Sequence, residues 1–139
     1  MPTLHFDTRS PNGGSLIGLL ALRLFGGGLM VYLHGWSKWL DYADKSSSFP
    51  DPFGVGSELS LALTIFAEVV CASALMVGLF TRWSAIICAF TMGVAAFIVH
   101  QDDPLKVQEK ALLYFAIYGA IACLGPGAFS IDHWRSGRR

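Results

Sequence analysis

His34 and Lys38 stand four residues apart at the end of an apolar run that begins near Leu16, inside the stretch LHGWSKWL at 33 to 40. His100 closes another apolar run, and Glu109 and Lys110 open a further one. Imidazole titrates near neutral pH, and a carboxylate in apolar surroundings is pushed toward the same range, so these residue types suit proton transfer. Lysine ammonium and histidine N–H groups also donate hydrogen bonds to ligand oxygens. Tyr32, Trp36, Trp39, Tyr42 and Tyr114 fall at similar depth. Such rings either anchor a helix at the membrane boundary or stack on a flat ligand.

Together these parts suit a quinone. It carries an apolar tail that travels in lipid, a flat ring and two oxygens, and its reduction takes up two electrons and two protons. No haem, iron–sulfur, flavin or copper motif occurs, so the electrons would have to come from a partner protein. His34 and His100 as axial haem ligands have nothing beyond their helix-end positions to support them. No metal is expected either: Cys71, Cys88 and Cys123 all fall inside apolar runs, with no CxxC or Cys/His ligand spacing, and read as small buried apolar residues.

The elements that must position these groups are membrane helices. Charged residues make up 14% of the 139-residue chain, well below the roughly one quarter of soluble domains, and mean hydropathy is +0.50. The formal net charge of zero gives no reason to expect nucleic-acid binding. Apolar windows long enough to span a bilayer recur four times, which predicts helices over about 15–40, 57–80, 83–100 and 107–125. The expected fold is an all-α, integral membrane, up-down four-helix bundle, one domain over residues 1–139. The first run is longer than a signal-peptide core, contains Arg23 and lacks a cleavage site, so it reads as a retained helix. In the fourth, the uncharged part from Ala111 to Leu124 would cover only about 21 Å of a core about 30 Å thick.

Helical spacing places Arg23, Gly27, Met30, His34 and Lys38 on one stripe of the first helix. Thr64, Glu68, Cys71 and Ala72 share a face of the second, and Ala85, Ala89, Gly93, Ala96 and His100 share a face of the third. Glu68 should lie about 15 Å below the outer boundary and Arg23 some 20 to 25 Å below it. An ion pair between them is the expected way to avoid leaving two charges alone in lipid. His34, Lys38, His100 and Glu109 are the candidate catalytic residues, and Arg23, Glu68, Lys110 and Tyr114 the candidate ligand-binding ones.

Arg9, Arg82, Arg135, Arg138 and Arg139 fall on the side of the termini, and most acids fall on the other, which predicts cytoplasmic termini. Between the first two helices SSSFPDPFGVGS marks an outer loop, a candidate lid or contact surface.

LRLFGGGLMVYLHGWSKW (22–39), FAEVVCASALMVGLFTRWSA (66–85), AAFIVH (95–100), EKALLY (109–114) and GPGAFSID (125–132) together resemble the DoxX family of small four-helix membrane proteins. The resemblance runs from about Leu16 to Asp132 and includes Arg23, His34, Gly35, Lys38, Glu68, Gly78, Arg82, His100, Glu109, Lys110, Tyr114, Gly125, Gly127, Ser130 and Asp132. The stretch MPTLHFDTRSPNGG lies outside it. What the resemblance implies is a membrane subunit of a respiratory or detoxifying redox complex in a bacterial or archaeal plasma membrane, linked to quinone reduction, with lipid and a redox partner protein as neighbours and room for a homo-oligomer. Two functions stay open: a quinone-interacting subunit fed by a partner, and a non-catalytic anchor that stabilises a larger complex. A transporter is weaker, because no broken half-helix is apparent.

Overall fold

The computed structural model describes residues 13–137, so Arg9, Arg138 and Arg139 lie outside the described residues. Among the described residues four helices are long and apolar enough to cross a membrane: α1 (Gly13–Leu40), α2 (Ser57–Val77), α3 (Thr81–Val99) and α4 (Leu105–Leu124). A short α5 (Ile131–Ser136) follows. No strand occurs among the described residues, and the architecture is an all-α up-down bundle.

Each helix boundary has a local cause. α2 stops at Val77 because Gly78 takes the left-handed conformation (φ 74°), where a Cβ would also collide with Ser130 and the Arg23 guanidinium. α3 starts at Thr81, two residues earlier than hydropathy suggests, because Asp132 caps it from the other end of the chain. Its carboxylate accepts hydrogen bonds from the amides of Phe80 (2.9 Å) and Thr81 (2.7 Å) and from the Thr81 hydroxyl (2.8 Å). Burial alone would raise the Asp132 pKa, but these donors outweigh it and hold the carboxyl below the usual carboxylate range. Ser130 in turn caps α5, accepting from the His133 amide at 3.1 Å. The GPG-x-x-S-x-D segment is thus a strap that fastens the C-terminus to the α2–α3 hairpin.

The core is made of small and medium side chains: Met30 from α1, Cys71, Ala72 and Leu75 from α2, Ala85 and Cys88 from α3, and Tyr118 and Ile121 from α4. α1 meets α2 closely at Gly35, where a Cβ would sit 2.6 Å from a Val69 methyl and 2.9 Å from the Glu68 carbonyl. Tyr118 is fully buried and donates to the Gly26 carbonyl at 2.9 Å, tying α4 to α1.

Three of the long helices widen into π-helical turns: Val31–Gly35, Phe66–Cys71 and Ala95–Val99. The first contains His34, the second Glu68, and the third ends on His100, whose amide reaches back five residues to the Ala95 carbonyl at 3.0 Å. Such insertions cluster at functional sites, because the extra residue re-aims side chains within an otherwise straight helix.

Candidate functional site

Arg23 is 1% exposed and spends its donors on backbone. It donates to the carbonyls of Leu75 and Met76, both at 3.0 Å, in the last turn of α2, and to those of Pro126 (2.6 Å) and Phe129 (2.9 Å) in the strap. A cation there complements the negative end of the α2 dipole, pairing the Met76 carbonyl and adding a second donor to the Leu75 carbonyl, which also accepts the Gly78 amide at 3.1 Å. The ion pair expected between Arg23 and Glu68 does not form. Four carbonyls from two segments converge on one guanidinium, and the acid has a nearer cation.

That cation is Lys38, whose Nζ lies 2.6 Å from Glu68 Oε2. Glu68 is buried and Lys38 is 21% exposed along its side chain, so the pair joins a dry end to a more accessible one. Both residues line a cavity of about 450 Å³. α2 and α3 touch at the level where the Cys88 thiol donates to the Ala67 carbonyl (3.3 Å). Beyond that level the cavity opens between them toward the loop end of the bundle, walled by Leu63 and Phe66 of α2 and by Phe90 and Val94 of α3. Ser60, Thr64, Thr91 and His100 are its remaining polar side chains. The wall is otherwise apolar, and the volume falls within the 300–1,000 Å³ typical of small-molecule sites.

The loop between α1 and α2 closes the rest. Phe53 stacks on Phe90, with ring centroids 6.3 Å apart and planes 11° apart. Asp51 folds the loop onto α2, accepting from the amides of Val55 (3.0 Å) and Gly56 (2.7 Å) and from the buried Ser60 hydroxyl (2.9 Å). The Gly56 amide is the main reason the Asp51 carboxyl is held below its ordinary pKa.

The residues expected to converge near the outer boundary divide into two groups. Lys38, Glu68 and His100 border the cavity, with His100 Nδ1 2.7 Å from Asp103 Oδ2 at the rim. His34 and Tyr114 face each other instead across the α1–α4 groove, edge to face with centroids 5.6 Å apart, and Tyr114 stacks on Tyr118. Glu109 and Lys110 are exposed on the first turns of α4. Trp36 and Trp39 are also exposed, as expected of interfacial anchors. Phe53, Asp51 and Thr91 border or brace the cavity without having been expected to. The Phe-Pro-Asp-Pro-Phe run was the available signal, since a loop on the aqueous side has no need of two phenylalanines. Among the described residues no group of His, Cys, Asp and Glu is arranged to hold a metal ion, and the cysteines are unpaired thiols, Cys71 and Cys88 buried and Cys123 exposed.

Fold and site together define a small multi-pass membrane protein with an apolar, charge-tipped cavity between two of its helices. Residues 18–101, more than half of the chain, match the DoxX family, and the protein belongs to that family. It is also similar to an uncharacterized protein of Haemophilus influenzae, 25% identical over 134 residues that cover 91% of this chain and 88% of that one. No solved structure matches it.

Proposed function

We propose that the protein is the membrane subunit of a redox complex and binds a quinone in the α2–α3 cavity. The observation that carries this reading is the Lys38–Glu68 pair at the inner end of an otherwise apolar space bordered by Phe53, Phe66 and Phe90. Aromatic faces suit a flat ring, the Lys38 ammonium is a donor for one ring oxygen, and His100 or the threonine hydroxyls are donors for another. A two-electron reduction of the ring needs two protons. Lys38 can pass one to a ring oxygen and regain it from solvent, while the Glu68 carboxylate holds the ammonium in place, and His100 at the rim can pass the other and regain it from solvent. The electrons come from a partner protein that carries a redox centre. Arg82 and Arg135 lie at the hairpin end of the bundle, and Lys45, Lys106 and most of the acids at the loop end. That distribution supports cytoplasmic termini in a bacterial or archaeal plasma membrane, with the loop end and the partner outside.

The direct test is binding of a decyl-tailed benzoquinone to the purified protein in lipid nanodiscs. Removing one member of a buried ion pair leaves the other uncompensated, so the informative variant is the double change Lys38→Met with Glu68→Gln, which keeps volume and removes both charges. It should remain folded and bind the quinone at least tenfold more weakly. Unchanged binding in a folded double variant would remove the pair from the site.

A second reading has its own support. α4 buries only 11% of its most apolar window within the chain, and it exposes Leu113, Phe115 and Leu124. α4 packs closely on α3 yet leaves most of its apolar surface outside the bundle, which leaves that surface for packing against other membrane subunits, as an anchor would need. A complex that assembles normally around the double variant but loses activity favours the quinone site; one that fails to assemble favours the anchor.

A further inference from the structure

Non-helical backbone is tolerated at membrane depth only where it is buried in protein or lines a cavity. The segment 49–55 meets that condition. Phe90 stands nine residues before the outer end of α3 at Val99, about 14 Å along the helix at 1.5 Å per residue. Phe53 stacks on it, so the loop that hydropathy places outside the membrane dips its tip into the gap between α2 and α3. Asp51 makes this tolerable by accepting the amides of Val55 and Gly56, and Gly54 and Gly56 take the positive φ values (69° and 101°) that the reversal requires.

Among the described residues the loop's hydrogen bonds reach one side of the gap, α2. Asp51 reaches Ser60 on α2, whereas toward α3 the loop presents the Phe53 ring. Phe53 and Phe90 are 57% and 63% exposed and both border the cavity, as do the exposed Leu63 and Phe66. A wall whose outer surfaces are all large apolar side chains faces lipid when the helices span a membrane. The polar end of the cavity points the other way, to Lys38 and Glu68.

We infer that the cavity is entered sideways from the bilayer, past the stacked Phe53 and Phe90 rings, by a ligand that leads with a flat polar head and trails an apolar tail into lipid. The inference rests on the cavity being the ligand site. The Phe53–Phe90 stack is the gate, and the Asp51 latch keeps the loop seated when the gate parts, because the loop travels with α2. A ring sliding between the two phenylalanines replaces their mutual stacking with its own, so the open gate retains aromatic contact. The tail stays in lipid, and the charged pair meets the head at the polar end.

Access can be measured without the quinone. Thr64 lines the cavity, and Thr64→Cys on a Cys123→Ser background places a thiol inside it while Cys71 and Cys88 stay buried. In nanodiscs the variant is treated with N-cyclohexylmaleimide, which partitions into the bilayer, or with a sulfonated, membrane-impermeant maleimide, and adducts are counted by mass spectrometry against the background protein. The lipid-borne reagent should label at least tenfold faster. Adding Phe53→Ala or, from the opposite side, Phe90→Ala should raise its rate severalfold and leave the sulfonated reagent flat. Labelling by the sulfonated reagent at an equal or greater rate, or by neither reagent, overturns lateral entry. So does a pair of gate variants that both leave the lipid-borne rate unchanged. Aqueous labelling with quinone binding intact removes the route and keeps the ligand. Lateral labelling without quinone binding removes the ligand and keeps the route.

Discussion

Replacing Arg23 with methionine tests the assignment of this buried charge as a clamp. The change keeps an unbranched apolar side chain of similar length and removes four hydrogen bonds, to Leu75, Met76, Pro126 and Phe129. A buried carbonyl left without a donor costs about 1–3 kcal/mol. The Leu75 carbonyl keeps the Gly78 amide as a donor, and the other three bonds are only partly buried, which lets water replace some of them. The expected loss is therefore about 3–5 kcal/mol in all, toward the low end of the summed penalties. Lysine has three donors on one atom and lacks the planar fork that reaches two segments at once, so Arg23→Lys should recover less than half of that loss.

The assay is reversible unfolding in detergent, paired with limited proteolysis of the 125–137 segment, which should be released in Arg23→Met before the helices melt. A double-mutant cycle of Arg23→Met with Glu68→Gln discriminates the clamp from the ion pair that depth alone suggests. Separate partners predict a coupling below about 0.5 kcal/mol, as for independent sites. Coupling above about 1 kcal/mol, with the strap as protease-resistant as in the parent, would refute the clamp.

Three further outcomes follow from the same contacts. Asp132→Ala leaves the Phe80 and Thr81 amides without their acceptor and should cost about 1–2 kcal/mol in thermal unfolding, the scale of a lost N-cap. Because the folded Asp132 carboxyl lies below its ordinary value, its contribution is complete above about pH 4 and disappears as pH falls through the folded value. Parent and Asp132→Ala melting curves should therefore converge only below pH 4, and convergence at pH 5–6 would assign the effect elsewhere. Gly35→Ala forces a methyl against Val69 and the Glu68 carbonyl and should destabilise by about 1–3 kcal/mol, with weaker quinone binding because the backbone that carries Glu68 is displaced. Tyr118→Phe deletes only the bond to the Gly26 carbonyl, so it should cost about 1 kcal/mol in unfolding and leave quinone affinity where it was.

Depth along each helix was legible in the sequence, and direction around the helix was legible only in part. A rise of about 1.5 Å per residue correctly ranks Lys38 and His100 near one boundary, Glu68 in the middle and Arg23 toward the other side. The stripe of Arg23, Gly27, Met30, His34 and Lys38 assumes an unbroken helical period. The π-helical turn at Val31–Gly35 adds a residue to that turn, so Lys38 swings to Glu68 on α2 while His34 turns to Tyr114 on α4. No spacing rule locates such a turn in advance. The partner of Arg23 was hidden for a different reason: its acceptors are backbone carbonyls, which every residue owns and which leave no trace in residue type. The re-entrant loop was hidden because two prolines and two glycines read as an aqueous turn, although its phenylalanines argue for a drier setting.

These differences change what the motif residues are for. Arg23, Gly78, Ser130 and Asp132 lie at the hairpin end and bind to one another or to the same strap, and the polar groups there are consumed by backbone. At the loop end Lys38 and Glu68 pair with each other, beside a space large enough for a ligand. A charge satisfied by fixed carbonyls has nowhere to move, so it serves stability. A charged pair beside a cavity can exchange its partner for a ligand oxygen and return. The two ends of the bundle are joined through α2, whose terminal carbonyls Arg23 grips and whose central π-helical turn holds Glu68. Fixing one end of that helix sets the position of the acid about two turns away. On this argument the clamp at one boundary fastens the helix that carries the site at the other, without touching the acid itself.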